Sequence, residues 1–157
     1  MRRATLLEPG LVAAPVALGA ELRAAGMLDG AVQSYRRALT LDSASQDARS
    51  GLDAALLLQV PAWHAAMLND AGRTEAFDRA IRRAVRPGMH VLDIGAGTGL
   101  LAMMAARAGA TRVTACESVG VLAETASNII KNNGLYNKIK IIHKHSTALA
   151  PGADMDR

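Results

Sequence analysis

The sequence predicts an α/β fold, the first half of a doubly wound sheet with three parallel strands, preceded by an α-helical hairpin region. Three observations carry this expectation. Residues 91–94, VLDI, form a short apolar run with one acid and read as a buried strand; Gly95, Gly97 and Gly99 then alternate through a tight turn, and residues 100–107 have helical spacing. The strand pattern returns at residues 112–116, which end in Glu117, and at 138–143, where Ile139, Ile141 and Ile142 are the apolar members of an alternating run. Between these, residues 121–132 read as a helix closed by Asn133-Gly134, a usual C-terminal stop. Strand, helix, strand, helix, strand begins a doubly wound sheet with right-handed crossovers. The three strands are then expected in the order third, second, first, with the outer side of the first left for a fourth.

Composition narrows the classes. Half of the 157 residues are apolar, enough for a buried core and too many for wholesale disorder. One Trp, one Phe and two Tyr offer little aromatic surface for stacking on bases. The net charge of +4 is spread over interspersed signs, so no nucleic-acid partner is expected. Lys131, Lys138, Lys140 and Lys144 all fall late, and the basic residues before them are all Arg, a composition shift rather than a binding patch. Cys116 stands alone, which excludes an internal disulfide and fits a reducing, cytoplasmic compartment. No apolar run has the length to span a bilayer, and no membrane partner is expected. The first twenty residues pair two arginines with an apolar stretch, as a signal peptide does, but Glu8, Pro9 and Gly10 break that stretch and its second half suits a helix.

Residues 1–60 form the expected helical region. Leu18, Gly19 and Leu22 share one helix face, Gly26 starts a turn, and Ala31, Tyr35, Ala38 and Leu41 line a second helix. Leu52, Ala55 and Leu56 have the spacing of a third helix within residues 45–58. The hairpin resembles a tetratricopeptide repeat, with small residues (Gly19, Ala31) at the helix crossing and large ones between. It departs from that repeat at Pro15, where a large residue is expected, and at Ser43, where Pro is common. A single repeat cannot bury its own face, so the resemblance implies a neighbouring domain or a protein partner against this region. A generic helical hairpin is the plainer reading.

Pro61 opens the second region, residues 61–157. Trp63, Met67 and Leu68 mark one helical turn; Asn69, Asp70 and Gly72 interrupt it; residues 74–85 form a helix with Phe77, Ala80, Ile81 and Ala84 inward. Arg73 stands at the junction, and Pro87-Gly88 ends the helix before the glycine motif.

A strand, a glycine turn and a helix bring backbone N–H groups close to a cofactor. Asp93 discriminates among cofactors. It lies two residues before the first glycine, giving Asp-x-Gly-x-Gly-x-Gly; in the dinucleotide pattern the third glycine would fall at position 100, which is Leu100. A pyrophosphate gains nothing from a carboxylate beside the turn, whereas a sulfonium and an amino group do. The pattern resembles the first motif of S-adenosylmethionine-dependent methyltransferases. Glu117, 24 residues after Asp93, stands at the carboxyl end of the second strand, where a carboxylate can accept both ribose hydroxyls of an adenosine cofactor. The alternative for Glu117 is a solvated acid capping the next helix.

Four segments, HAAMLNDAGRT, VLDIGAGTGLLAMMAARAGA, ACES and NKIKIIHKHSTAL, together resemble the protein arginine N-methyltransferases over about residues 62–149. MLND and the KIKIIHKHST run are similar to the branch with divergent or duplicated catalytic halves. The resemblance implies a Rossmann-like methyltransferase sheet, S-adenosyl-L-methionine as cofactor, and a protein or peptide substrate bearing arginine. It implies that Arg73 pairs with the cofactor's methionine carboxylate, a contact that suits the guanidinium fork; a cation at a helix N-terminus otherwise opposes the macrodipole. Met67 would pack near the sulfonium and the target guanidinium, although a methionine at such spacing is more often core. Asp93 and Gly95 would hold the amino end, Gly97 would allow close backbone approach, Glu117 would bind the ribose, and Ser146 would sit beside the adenine. His64 matches the family's motif histidine and is equally readable as a packing residue. No metal site is expected.

An arginine side chain stays protonated at physiological pH and is a poor nucleophile. The family grips it with two glutamates on a loop after the fourth strand. No such loop occurs in these residues; Asp154 and Asp156 do not match it, and the family's later barrel domain, with its Thr-His-Trp loop, is not present either. The expectation is a cofactor-binding portion, inactive by itself and with catalytic residues unknown. The apolar edge of its first strand invites self-association, and a homodimer fits that expectation. Two other readings remain: a methyltransferase with a different acceptor, because the cofactor motif is silent on the acceptor, and a non-catalytic interaction module in which the tetratricopeptide-like hairpin does the work.

Overall fold

The structure, a computed structural model, describes residues 9–150 and divides into two compact units, Met1–Val60 and Pro61–Arg157. Arg2, Arg3 and Glu8 of the signal-like start, and Asp154 and Asp156, lie outside the described residues.

The first unit holds α1 (Pro9–Ala24), α2 (Leu28–Leu41) and α3 (Gln46–Gln59). The α3 start is fixed by Ser45, whose hydroxyl accepts the Ala48 N–H at 3.3 Å. Tyr35 of α2 is 2% exposed and organises the packing. Its ring lies against Gly19 of α1 and Gly51 of α3, and a Cβ at either glycine would overlap it. Ala31, Ala38 and Ala55 are fully buried, so the helices approach over small residues. Leu18 departs from expectation: it is half exposed and, with Leu11 and Pro15, walls a surface groove between α1 and α2. The reason is angular. Gly19 is the residue of α1 that faces Tyr35, and its neighbour is turned about 100° away around the helix. No helix of the described residues is long and apolar enough to cross a membrane.

The second unit runs α4 (Trp63–Leu68), α5 (Ala71–Ala84), β1 (His90–Ile94), α6 (Leu100–Arg107), β2 (Arg112–Glu117), α7 (Gly120–Asn132) and β3 (Ile139–His143), followed by one turn of 3-10 helix at Ser146–Ala148. The three strands are parallel in the order β1-β2-β3, with Asp93 paired to Ala115 and Glu117 to His143. The central strand is the best buried: Val113, Thr114, Ala115, Cys116 and Glu117 are all covered. Ala102, Ala105 and Ala106 of α6 and Ala126 and Ile130 of α7 complete the core around it. The one hydroxyl in that strand, on Thr114, lies 2.7 Å from His90 Nε2 on β1.

Four expectations need correction. The first strand is not buried: Leu92 is 36% and Ile94 59% exposed, because β1 is the edge of the sheet among the described residues. Phe77, Ala80 and Ala84 do not face inward; α5 contains no buried residue, and only Ile81 packs against the core. Trp63, expected on the apolar face of its turn, is also exposed, and His64 beside it is the buried residue of α4. Finally, β3 does not alternate strictly. Ile139 and Ile142 are buried and the two residues between them half-buried, the pattern of a parallel strand covered on both faces.

Candidate functional site

Parallel strands end together, and the three carboxyl ends bring the predicted residues to one side of the sheet. Asp93 is the penultimate residue of β1, Glu117 the last of β2, and Ser146 begins the 3-10 turn that follows β3.

The turn between β1 and α6 is fixed by its own backbone. The N–H groups of Gly95 and Ala96 both donate to the Cys116 carbonyl, at 2.9 and 3.1 Å, and Gly99 N–H donates to the Ala96 carbonyl at 2.8 Å. Gly97 N–H donates to Glu117 Oε2 at 2.8 Å. These amides are therefore engaged within the protein, so the turn differs from a phosphate cradle, in which amides aim outward. What it offers instead is space and charge. Gly95 has φ +73°, and a Cβ built there meets nothing within 4 Å. Gly97 has φ +56° and sits against His64, whose Cε1 would be 2.8 Å from an added Cβ. Only glycine allows both that backbone angle and that approach.

The two acids are unlike. Glu117 is 6% exposed and accepts one amide N–H on each oxygen, its Oε1 taking that of Val119 at 2.8 Å beside the start of α7. The alternative of a solvated cap is thus half right: the residue does bind at the helix start, but it is buried. Asp93 has a buried Oδ2 with no partner. Burial raises its pKa above the usual carboxylate value; a hydrogen bond from the Ala102 backbone in the first turn of α6 partly opposes this, and the neighbouring Glu117 charge adds to the rise. A cation placed at Asp93 would relieve both burial and repulsion.

The remaining predicted residues lie on α4 and α5. His64 is 5% exposed, touches Gly97, and leaves its Nε2 buried without a partner. Met67 follows it by three positions on the same helix face and is half-buried. Arg73 lies in the first turn of α5, where the Asp70 side chain caps its N–H at 2.9 Å. That carboxylate at the helix start offsets the unfavourable cation. The Arg73 guanidinium rests 4.7 Å from the centre of the outward-facing Phe77 ring. Ser146 is half-buried beside a hydrogen-bonded pair formed by His145 and Thr147, 2.8 Å apart. The structure brings Asp93, Gly95, Gly97 and Glu117 together as one cluster. To these it adds His64, which the resemblance offered as a motif histidine and the bare sequence as a packing residue.

Comparisons with known proteins bear on the family and the fold. The family model of ribosomal protein L11 methyltransferase (PrmA) matches residues 74–155, just over half of the chain. An arginine N(omega)-methyltransferase of Streptomyces achromogenes subsp. streptozoticus is 53% identical over 96 residues, 61% of this chain and 27% of that protein. Protein arginine N-methyltransferase 7 of Oryza sativa subsp. indica is 48% identical over 99 residues, 57% of this chain and 14% of that protein. The chain therefore spans about a quarter or less of the curated relatives it matches. Among solved structures, Arabidopsis thaliana protein arginine methyltransferase 10 aligns with a TM-score of 0.54 at 29% identity, covering 60% of this chain and 28% of that one. The crystal structure of PRMT6 with SAH gives 0.50 at 38% identity, covering 54% of this chain and 25% of that one. The matches name different acceptors but one kind of reaction, methyl transfer. The chain belongs to the methyltransferase family of the matching model, with S-adenosylmethionine as its cofactor class and a divergent protein arginine N-methyltransferase-like fold that covers part of the cofactor domain.

Proposed function

We propose that the chain is the cofactor-binding portion of a protein arginine methyltransferase. The observation that carries the reading is the pair of dissimilar acids flanking an open glycine turn: Asp93 with a buried, unpartnered oxygen and Glu117 rigidly held. An unpartnered acceptor beside the open face of Gly95 fits a ligand that brings a cationic donor. In this reading Asp93 and Gly95 receive the amino end, Arg73 the methionine carboxylate, Glu117 the ribose and Ser146 the adenine edge. Met67 packs where the sulfonium and the target guanidinium meet. When bound, S-adenosylmethionine supplies the methyl group. The 157 residues by themselves bind the cofactor and do not transfer the methyl, because nothing among the described residues supplies the paired glutamates that orient a guanidinium. A protein or peptide bearing arginine is the acceptor of the whole enzyme, supported by the arginine methyltransferases among the relatives. The compartment is cytoplasmic, and a protein partner covers the tetratricopeptide-like hairpin.

Calorimetry with S-adenosylhomocysteine tests the reading. The chain should bind it, and Glu117→Ala should weaken binding by about 1.5–3 kcal/mol, the range for hydrogen bonds to a charged group. Unchanged affinity in that variant would reject the ribose assignment.

A further inference from the structure

Along the sequence of the second unit the two signs of charge are interspersed, but the fold sorts them. In a parallel sheet with helical crossovers every strand starts, and every helix ends, on one side. That side is opposite the strand ends that carry Asp93 and Glu117. Three segments meet there: residues 82–90 from the end of α5 to the start of β1, residues 107–112 between α6 and β2, and residues 131–138 between α7 and β3. Together they hold seven Arg and Lys and no Asp or Glu. Arg82 is paired with Asp78 at 2.7 Å; the other six cations are exposed and make no ion pair among the described residues.

Helix ends account for half of these six. Arg83, Arg107 and Lys131 lie in the last turns of α5, α6 and α7, where a cation offsets the negative end of the macrodipole. Arg86, Arg112 and Lys138 lie past those ends, at the approaches to the strands, and a sheet has little net dipole to offset. Arg112 and Lys138 stand side by side, directly before the paired residues Val113 and Ile139. Two large side chains share the segments: Met89 is 44% and Tyr136 71% exposed.

We propose that this face is an interaction surface for an acidic segment of another protein. Charge complementarity gives the sign of the partner, since a row of cations with no carboxylate among them creates a positive potential over the face. The exposed Met89 and Tyr136 give its class: Arg, Tyr and Met are the side chains that protein interfaces concentrate. One exposed aromatic does not make a series of stacking platforms for a nucleic acid. Phosphates, moreover, favour helix N-termini, which lie on the other side of the sheet, whereas this side presents the carbonyl ends of the helices. The inference is independent of the cofactor reading, because none of its residues lies at the strand ends of Asp93 and Glu117.

Fluorescence anisotropy of the full chain with the end-blocked peptide EEFEEFEE tests this. The peptide should bind at low ionic strength and weaken as salt is added. Combining Arg86→Gln, Arg112→Gln and Lys138→Gln should weaken it about tenfold, three exposed pairs at roughly twofold to threefold each. Arg23→Gln, Arg37→Gln and Arg49→Gln together remove the same charge from the helical unit and should change nothing. Equal losses in the two triple variants would reduce the effect to net charge and overturn the surface. Tighter binding of an oligothymidylate of equal charge overturns the choice of a protein partner. NMR of the unaltered chain locates the contact without any substitution: peptide should shift the amides of residues 82–90, 107–112 and 131–138. Shifts gathered at residues 93–99 instead, or no binding at low salt, overturn the proposal.

Discussion

Both units of the chain are built around glycines, and Gly19 and Gly51 do the opposite of Gly95. In the helical unit, Gly19 and Gly51 make room for the Tyr35 ring, which fills the space completely. In the sheet unit, Gly95 makes room that no side chain of the protein fills, and the Oδ2 of Asp93, two residues before it, is buried without a partner. A glycine whose missing Cβ is replaced by the protein's own atoms is a packing device. One that faces open space beside unsatisfied acceptors marks a place meant for something else. Side-chain occupancy, rather than glycine content, separates the two.

Substitutions should separate them in the same way. The largest effect is expected at Gly51. Its added methyl overlaps the Tyr35 ring, so Gly51→Ala should destabilise the helical unit by about 3 kcal/mol, the upper end of overpacking, and leave S-adenosylhomocysteine binding unchanged. Thermal unfolding measures the loss. Adding Tyr35→Leu should recover part of it, and strict additivity of the two changes would show that the ring is not the obstacle.

Next comes Arg73, held over Phe77. Arg73→Ala should weaken S-adenosylhomocysteine by roughly 1.5–3 kcal/mol and adenosine hardly at all, since only the former carries a carboxylate. Equal losses for both ligands in calorimetry would make Arg73 a structural residue. Smaller in stability, though not in binding, is Gly95→Ala. The new methyl meets no atom of the protein, and the positive φ alone should cost about 1–2 kcal/mol in denaturant unfolding. Calorimetry should nonetheless show weaker binding. A Gly95→Ala chain that binds at full strength would mean that the open space is not the ligand's.

The subtlest expectation is a pH dependence. Asp93 has its pKa raised in the folded chain, first by burial, so between the usual carboxylate value and the raised one the folded state binds more protons than the unfolded. Ligand-free stability should therefore fall as pH rises through that window. Binding should run the other way, because a cationic ligand favours the ionised acid. S-adenosylhomocysteine affinity should weaken as pH drops through the window, and Asp93→Asn should flatten that dependence.

Local pattern revealed the elements well and their surroundings poorly. The helix after the glycines begins at Leu100 and ends at Arg107 as its spacing predicts, and α7 stops where Asn133-Gly134 says it should. Punctuation by glycine and periodicity within one element are written into a short stretch of chain. Exposure is not. Leu92 and Ile94 belong to a strand whose neighbours decide their burial, and the face of α5 that carries Phe77 is set by the helix's packing on the rest of the fold. The site was legible to the extent that its residues share a motif: Asp93, Gly95, Gly97 and Glu117 cluster as their spacing suggested. Gly51 was invisible because its partner ring is on another helix, and the double engagement of Glu117 because its two donors lie in different turns.

The contact between His90 and Thr114 has a consequence at the opposite end of the strands. Sliding β1 by one residue against β2 would carry His90 away and strand the Thr114 hydroxyl in the driest part of the sheet, at a cost of about 1–3 kcal/mol. The same slide would shift Asp93 from its place opposite Ala115 and bring a different pleat face toward the turn. The alignment of the two acids is thus indexed from the amino end of the strands, roughly three residues and about 10 Å from Asp93. Removing either member of that pair, with His90→Ala or Thr114→Val, offers a way to loosen the site's geometry without touching any residue within it.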